Sequence, residues 1–230
     1  MNDLLQSVRR NAIGLGLFAM VTAGAIAVAQ VGTKERIEHN IRMAQAKALN
    51  EIVPAGSYDN DLLTDVIAVD KRFNQQLLGP LPDDAQIHLA RTNGQVNTVI
   101  LPVVAPDGYT TQIAVLVGVH ADGSIAGVRV IEHKETPGLG DKIDRKKSDW
   151  VLGFDDKSLN NPKAERWAVK KDGGDFDQFT GATITPRAVV KAVKLALKFF
   201  ELHKNELLGQ RLTEPQSVSG QLPQHSGSGE

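Results

Sequence analysis

The segment Phe179-Thr180-Gly181-Ala182-Thr183-Ile184-Thr185-Pro186 crowds three hydroxyls and two very small residues immediately ahead of a helical pattern. In that pattern Val189, Val190, Val193, Leu197 and Phe200 share one face, while Arg187, Lys191, Lys194, Lys198 and Glu201 share the other. Thr185 suits the N-cap of this helix and Pro186 its first position. A helix start presents unpaired backbone N–H groups and a positive dipole, so it suits a phosphate, and Gly181 and Ala182 let the backbone come close to a ligand. A glycine turn followed by a threonine cap needs no ligand at all, and that plainer reading fits the same residues.

Other chemistries find little support. The chain has no cysteine, which removes thiolate iron–sulfur ligation, Cys-x-x-Cys-His haem attachment, a catalytic thiol and disulfides. Any redox centre it carries is then organic. His39, His88, His120, His133, His203 and His225 form no His-x-x-x-His or His-Glu-x-x-His spacing, so no metal set is predicted. Gly-x-Gly-x-x-Gly and Gly-x-x-x-x-Gly-Lys-Ser/Thr are both absent, and Ser148, Asp149 and His133 have no spacing that marks a triad, so no catalytic residue is predicted. Lys and Arg number 26 against 27 Asp and Glu, with no basic stripe beyond the mixed run 142–147, which disfavours nucleic-acid binding.

The elements that must position the hydroxyl cluster can be read around it. Ile113, Val115, Val117 and Val119 alternate, Ala121-Asp122-Gly123-Ser124 has turn chemistry, and Val128 and Val130 alternate on the return, which predicts an antiparallel hairpin over 112–134. Glu135-Thr136-Pro137-Gly138-Leu139-Gly140 is too rich in Pro and Gly to continue the ladder and predicts a shaped loop. Leu62 to Val69 and Val96 to Val104 read as strands, with turn signals at Asp83-Asp84 and Asn93-Gly94. Ile37, Ile41, Ala44, Ala48 and Ile52 recur at helical spacing up to the breaker Val53-Pro54-Ala55-Gly56.

Asn11 to Thr33 contains no charged side chain and is long enough to span a bilayer, which takes about 20 apolar residues. The competing reading is a cleavable signal peptide, with Arg9-Arg10 ahead of the run and Ala27-Val28-Ala29 as a cleavage site. Both readings export the C-terminal part. Arg9 and Arg10 before the run are balanced by Lys34, Arg36 and Arg42 after it, so orientation rests on the usual arrangement of a short stub, one span and a large exported domain. The predicted organisation is a cytoplasmic stub over 1–10, a transmembrane helix over 11–33, a mixed connecting region over 34–95, a ligand domain over 96–208 and a disordered tail over 209–230. The predicted fold class is α+β: a membrane helix followed by a periplasmic domain with an antiparallel sheet and flanking helices.

Through Thr180-Gly181-Ala182-Thr183 together with His133-Lys134-Glu135-Thr136-Pro137-Gly138-Leu139-Gly140, the chain resembles the FMN-binding G subunit of the Rnf (Rsx) electron-transport complex. More distantly it is similar to the C subunit of the sodium-translocating NADH:quinone reductase. The resemblance runs from the anchor to the helix ending near Leu208. It implies that Thr183 carries FMN as a phosphoester, attached by a periplasmic flavin transferase, with Thr180, Gly181 and Ala182 completing the motif. It also implies that Glu135, Thr136 and Leu139 lie against the isoalloxazine ring, with Gly138 and Gly140 shaping that loop and Lys170 near the flavin. The function so implied is an inner-membrane, single-pass electron carrier that works with other Rnf subunits rather than as a stand-alone enzyme. An exported flavin-binding sensor and an unmodified structural component of the complex are the alternatives.

Overall fold

The computed structural model describes residues 2–209, so the expected tail, Gly209 apart, lies outside the described residues. Helix α1 runs unbroken over Asn2–Ile52. The membrane candidate and the helix foreseen over Lys34 to Ile52 are therefore one element. Its stretch Arg9–Val28 is long and apolar enough to cross a membrane, and none of it is buried among the described residues. Just past its end stands Pro54, which has no N–H to continue the ladder.

Strands β1 (Val66–Ala68), β2 (Gln86–Thr92), β3 (Gln95–Ala105), β4 (Ile113–His120) and β5 (Ile125–Glu132) form one antiparallel sheet in sequence order. The predicted alternation holds: Ile113, Val115, Val117 and Val119 of β4 all face one core, joined by Val99, Leu101 and Val103 of β3. The hairpin turn closes with Ser124 N–H and Oγ both donating to Asp122 Oδ1 at 2.8 and 2.7 Å. Two expectations change. The strand foreseen over Leu62 to Val69 is only three residues long, because Asp61 folds the preceding residues into a turn, its side chain and carbonyl accepting from Leu63, Thr64 and Asp65. Strand β2 is an addition, paired with β3 through an Asn93-Gly94 turn with φ of 52° and 78°, the left-handed pair that a two-residue hairpin demands.

Helix α2 (Ile184–Leu207) covers the main face of the sheet with the predicted Val189, Val190, Val193, Leu197 and Phe200, all buried. The chain between β5 and α2 closes that core with an aromatic group: Phe154 stacks on Phe176 at 4.7 Å, Trp167 sits 5.0 Å from Phe176, and Trp150 meets Phe179 edge-on at 5.3 Å. The opposite face holds a smaller cluster of Leu49, Ile52, Val53, Leu62, Ala90, Ile100 and Leu116. There Gly118 and Gly127, paired across β4 and β5, leave a notch for Ile52. A Cβ on Gly118 would stand 2.3 Å from Ile52 Cγ2, and one on Gly127 3.5 Å from Ile52 Cα. Arg129 clamps the same helix end, donating to the Glu51 carbonyl at 2.8 Å and to its carboxylate at 3.3 Å.

Candidate functional site

The hydroxyl-rich segment forms a tight turn leading into α2. Ala182 N–H donates to Phe179 O at 3.1 Å, and Gly181 takes φ of 81°, a conformation that an L side chain adopts only under strain. Thr183, not Thr185, is the N-cap residue, and α2 begins at Ile184. The correction has a simple cause: none of the first N–H groups of a helix has an intrahelical acceptor, so Pro186 is tolerated in the first turn and does not fix the register. Thr183 makes no side-chain cap hydrogen bond. Its partly exposed hydroxyl is left open for other chemistry, beside the unpaired N–H groups of the helix start.

Thr185, foreseen as the cap, is instead fully buried and donates its hydroxyl to Glu135 Oε2. Glu135 is itself only 4% exposed, and its other oxygen accepts the Thr110 N–H at 3.0 Å. The loop 135–140 and the start of α2 therefore meet. Leu139, 42% exposed, comes within 3.6 Å of the position a Cβ on Gly181 would take. The loop itself is a turn in which Leu139 and Gly140 N–H both donate to Thr136 O at 3.1 Å, with Gly138 at φ of 76°. Thr136 and Gly138 are exposed, and Gly140 is buried.

Lys170 stands apart from that loop. It is exposed, paired with Asp177 at 2.6 Å, and belongs to the short helical turn Lys170–Asp172. That turn is tied to the start of α2 by Asp172, which accepts from Arg187 twice at 2.5 Å. The Arg187 guanidinium holds the Asp172 carboxyl below the usual carboxylate range.

The surroundings suit a flat, largely apolar ligand carrying a phosphate. Tyr109, Leu139 and Ile184 are large apolar side chains left exposed on the segments that converge at Thr183. A cleft of about 310 Å³ opens beside Glu135, lined by Thr111, Gln112, Ala114, Glu132, His133 and Lys134. Asp141, which follows the loop, is 7% exposed, and its Oδ1 has no hydrogen-bond partner among the described residues, so the loop holds an acceptor still able to take a donor. Flavin chemistry matches this set: a phosphate for the helix end, an apolar ring for the exposed side chains, and an imide N–H for a buried acceptor. No cluster of three or more His, Asp or Glu able to hold a metal occurs among the described residues.

Comparison with known proteins decides the family. Residues 108–198 match the family model described as an FMN-binding domain, and residues 1–52 match the RnfG N-terminal region. A Pseudomonas aeruginosa protein, named as the G subunit of an ion-translocating oxidoreductase complex, is 50% identical over 215 residues, covering 94% of this chain and 96% of that protein. The chain belongs to the RnfG family. Relatives of the same name in Pseudoalteromonas atlantica and Vibrio atlanticus are 46% identical over 202 residues and 40% over 211. They cover 88% and 91% of this chain, and 92% and 98% of their own lengths. The FMN-binding match spans the Tyr109 turn, the loop 135–140 and the Thr183 helix end together.

The sequence pattern did not mark Thr110, Asp141, Tyr109 or Ile184 as candidate site residues. Exposure of Tyr109 and Ile184 depends on the packing of other segments. The Thr110 contact uses a backbone N–H, which carries no side-chain signal.

Proposed function

We propose that this protein carries FMN as a phosphoester on Thr183 and relays electrons within an Rnf-type ion-translocating oxidoreductase complex. The observation that carries the reading is the Thr183 hydroxyl: it heads α2, caps nothing, and lies inside the matched FMN-binding domain. Attachment forms the bond from Thr183 Oγ1 to the FMN phosphorus while the P–O bond from that phosphorus to the leaving group of the flavin donor breaks; the hydroxyl proton goes to the departing oxygen, so the chain gains FMN less water. A periplasmic flavin transferase supplies this step.

Bound flavin supplies the one-electron chemistry, and the chain's own residues supply place and electrostatics. The first-turn N–H groups of α2 would hold the phosphodiester. Leu139 would supply apolar cover for the ring, Thr136 and Asp141 would supply polar groups to it, and Gly138 and Gly140 let the loop turn tightly. Thr180, Gly181 and Ala182 form the turn that the transferase must approach. Lys170, paired with Asp177 at 2.6 Å, would offset that carboxylate's charge near the anionic phosphate. α1 anchors the chain in the bacterial inner membrane as a single span, with the sheet domain on the periplasmic side.

The deciding experiment is intact mass with peptide mapping on protein exported in the presence of a flavin transferase. The reading requires a gain of one FMN less water on the peptide containing Thr183, lost in Thr183→Val, and copurification with the other proteins of the complex. No gain, with the transferase active on a control substrate, overturns it and leaves an unmodified structural component. A flavinylated protein that purifies without those partners points instead to an exported sensor.

A further inference from the structure

The geometry points to Glu135 as a positioning residue: its buried carboxylate, held by Thr185 and Thr110, latches the loop 136–140 onto the helix end that presents Thr183. This rests on the covalent-flavin reading. It assigns Glu135 a part different from direct contact with the ring, and gives Thr185 and Thr110 a part in the site.

Three segments remote in sequence meet on this one side chain. Thr185, 50 residues away, donates its hydroxyl to Oε2, and Thr110, 25 residues away, donates its N–H to Oε1. Both oxygens are thus engaged with groups of the protein, and both Glu135 and Thr185 are buried, at 4% and 0% exposure. A carboxylate buried this way is retained at the expense of its hydration and is stable only while its donors stay in place. Gly140 makes room for the arrangement. A Cβ there would lie 2.8 Å from Thr185 Oγ1 and 3.0 Å from both Glu135 Cβ and Oε2. Lys191 of α2 reinforces the third segment through its 2.6 Å pair with Asp107, on the same turn as Thr110.

The latch acts at short range. Thr185 lies two residues beyond Thr183, a rise of about 3 Å along the helix. Leu139 and Gly140, whose N–H groups both bond Thr136 O, follow wherever the Glu135 backbone is held. Loosening the Thr185 bond therefore moves Leu139 relative to Gly181 and to the attachment point. The ring's cover changes while its tether stays intact. Thr185 is itself uncharged, so replacing it with Val deletes one donor to Glu135 without adding or removing a charged side chain.

The test uses the full-length chain exported with a flavin transferase. Thr185→Val keeps the shape and removes the donor. It is expected to retain FMN on Thr183 by mass, to shift the flavin midpoint potential and to weaken the circular dichroism that the protein induces in the flavin bands. Thr185→Ser is expected to restore both. Wild-type potential and dichroism in Thr185→Val, or a Ser variant as disturbed as the Val variant, overturns the latch. Should the Val variant not accumulate, Gly140→Ala presses a methyl on the same two side chains without deleting a hydrogen-bonding group, and it must produce the same shift. If the wild-type chain itself gains no FMN, the flavin reading fails. The latch is then judged on unloaded protein by amide exchange at Leu139 and Gly140, expected to be faster in Thr185→Val on the order of tenfold. Unchanged exchange refutes it.

Discussion

Replacing Ile52 by Ala removes the side chain that fills the notch between Gly118 and Gly127, where α1 joins the sheet. Ile52 is 3% exposed and lies in a small cluster with Leu49, Val53, Leu62, Ala90, Ile100 and Leu116, so the loss is expected at about 2–4 kcal/mol. Gly118→Ala makes the opposite error. Its Cβ meets Ile52 Cγ2 at 2.3 Å, and because a β-branched side chain on a helix has little freedom at χ1, the overlap is expected to cost about 1–3 kcal/mol. The double variant places a methyl in the space that the first change empties. It should therefore be more stable than the sum of the two single changes by about 1–2 kcal/mol. Urea unfolding of the full-length chain in detergent, followed through Trp150 and Trp167, measures all four corners of the cycle, with the slopes compared to confirm that midpoints report stability. Additivity within about 0.5 kcal/mol would refute the reasoning, because it would mean that Ile52 and Gly118 do not touch in the folded protein.

Four further outcomes are expected. Thr183→Val abolishes flavin attachment by mass yet changes unfolding stability by less than about 0.5 kcal/mol, since the Thr183 side chain makes no cap bond to lose. Gly181→Ala, forced to φ of 81°, is expected to lose about 1–2 kcal/mol in urea unfolding and to show a smaller flavinylated fraction by mass. Burial of the His88 ring, partly offset by its 2.7 Å hydrogen bond to Leu62 O, holds its pKa below the ordinary 6.5. The unfolded chain therefore takes up that proton first; stability is full above pH 6.5 and falls as the pH drops from there toward the folded-state value, a slope that His88→Gln should flatten in urea midpoints taken from pH 7.5 to 5. Burial also raises the Asp155 pKa, and Asp155 Oδ1 has no hydrogen-bond partner among the described residues, so Asp155→Asn should raise the melting temperature at pH 7.5, with the gain shrinking as acid protonates the native Asp155.

Much of this arrangement was legible in the residues because it is local. Alternation in Ile113 to Val119 and the 3.6-residue repeat from Val189 to Phe200 are periodic signals, and both elements form where they predict. Strand β2 carried the same kind of signal, with Ile87 and Leu89 both facing the main core, but its flanking Gln, His and Arg made it easy to read as a connection. The start of α2 was misplaced by two residues, because Thr183 and Thr185 are chemically equal candidates and only packing buries one of them. Loop 135–140 and turn 180–183 were each visible as motifs. Their junction was not, since a hydrogen bond between residues 50 apart leaves no trace in local spacing.

The order of the elements along the chain also bears on assembly. Five strands join neighbour to neighbour, and each hairpin can close as it emerges, whereas the helix that covers their main face is the last described element. Until α2 arrives, Val99, Leu101, Val115 and Val117 have no roof, and the turn bearing Thr183 has no fixed shape. In the exported chain proposed above, maturation therefore waits for α2: closing the core and presenting the Thr183 hydroxyl are one event. Truncations that remove α2 should thus leave an aggregation-prone sheet rather than a folded domain that still presents Thr183.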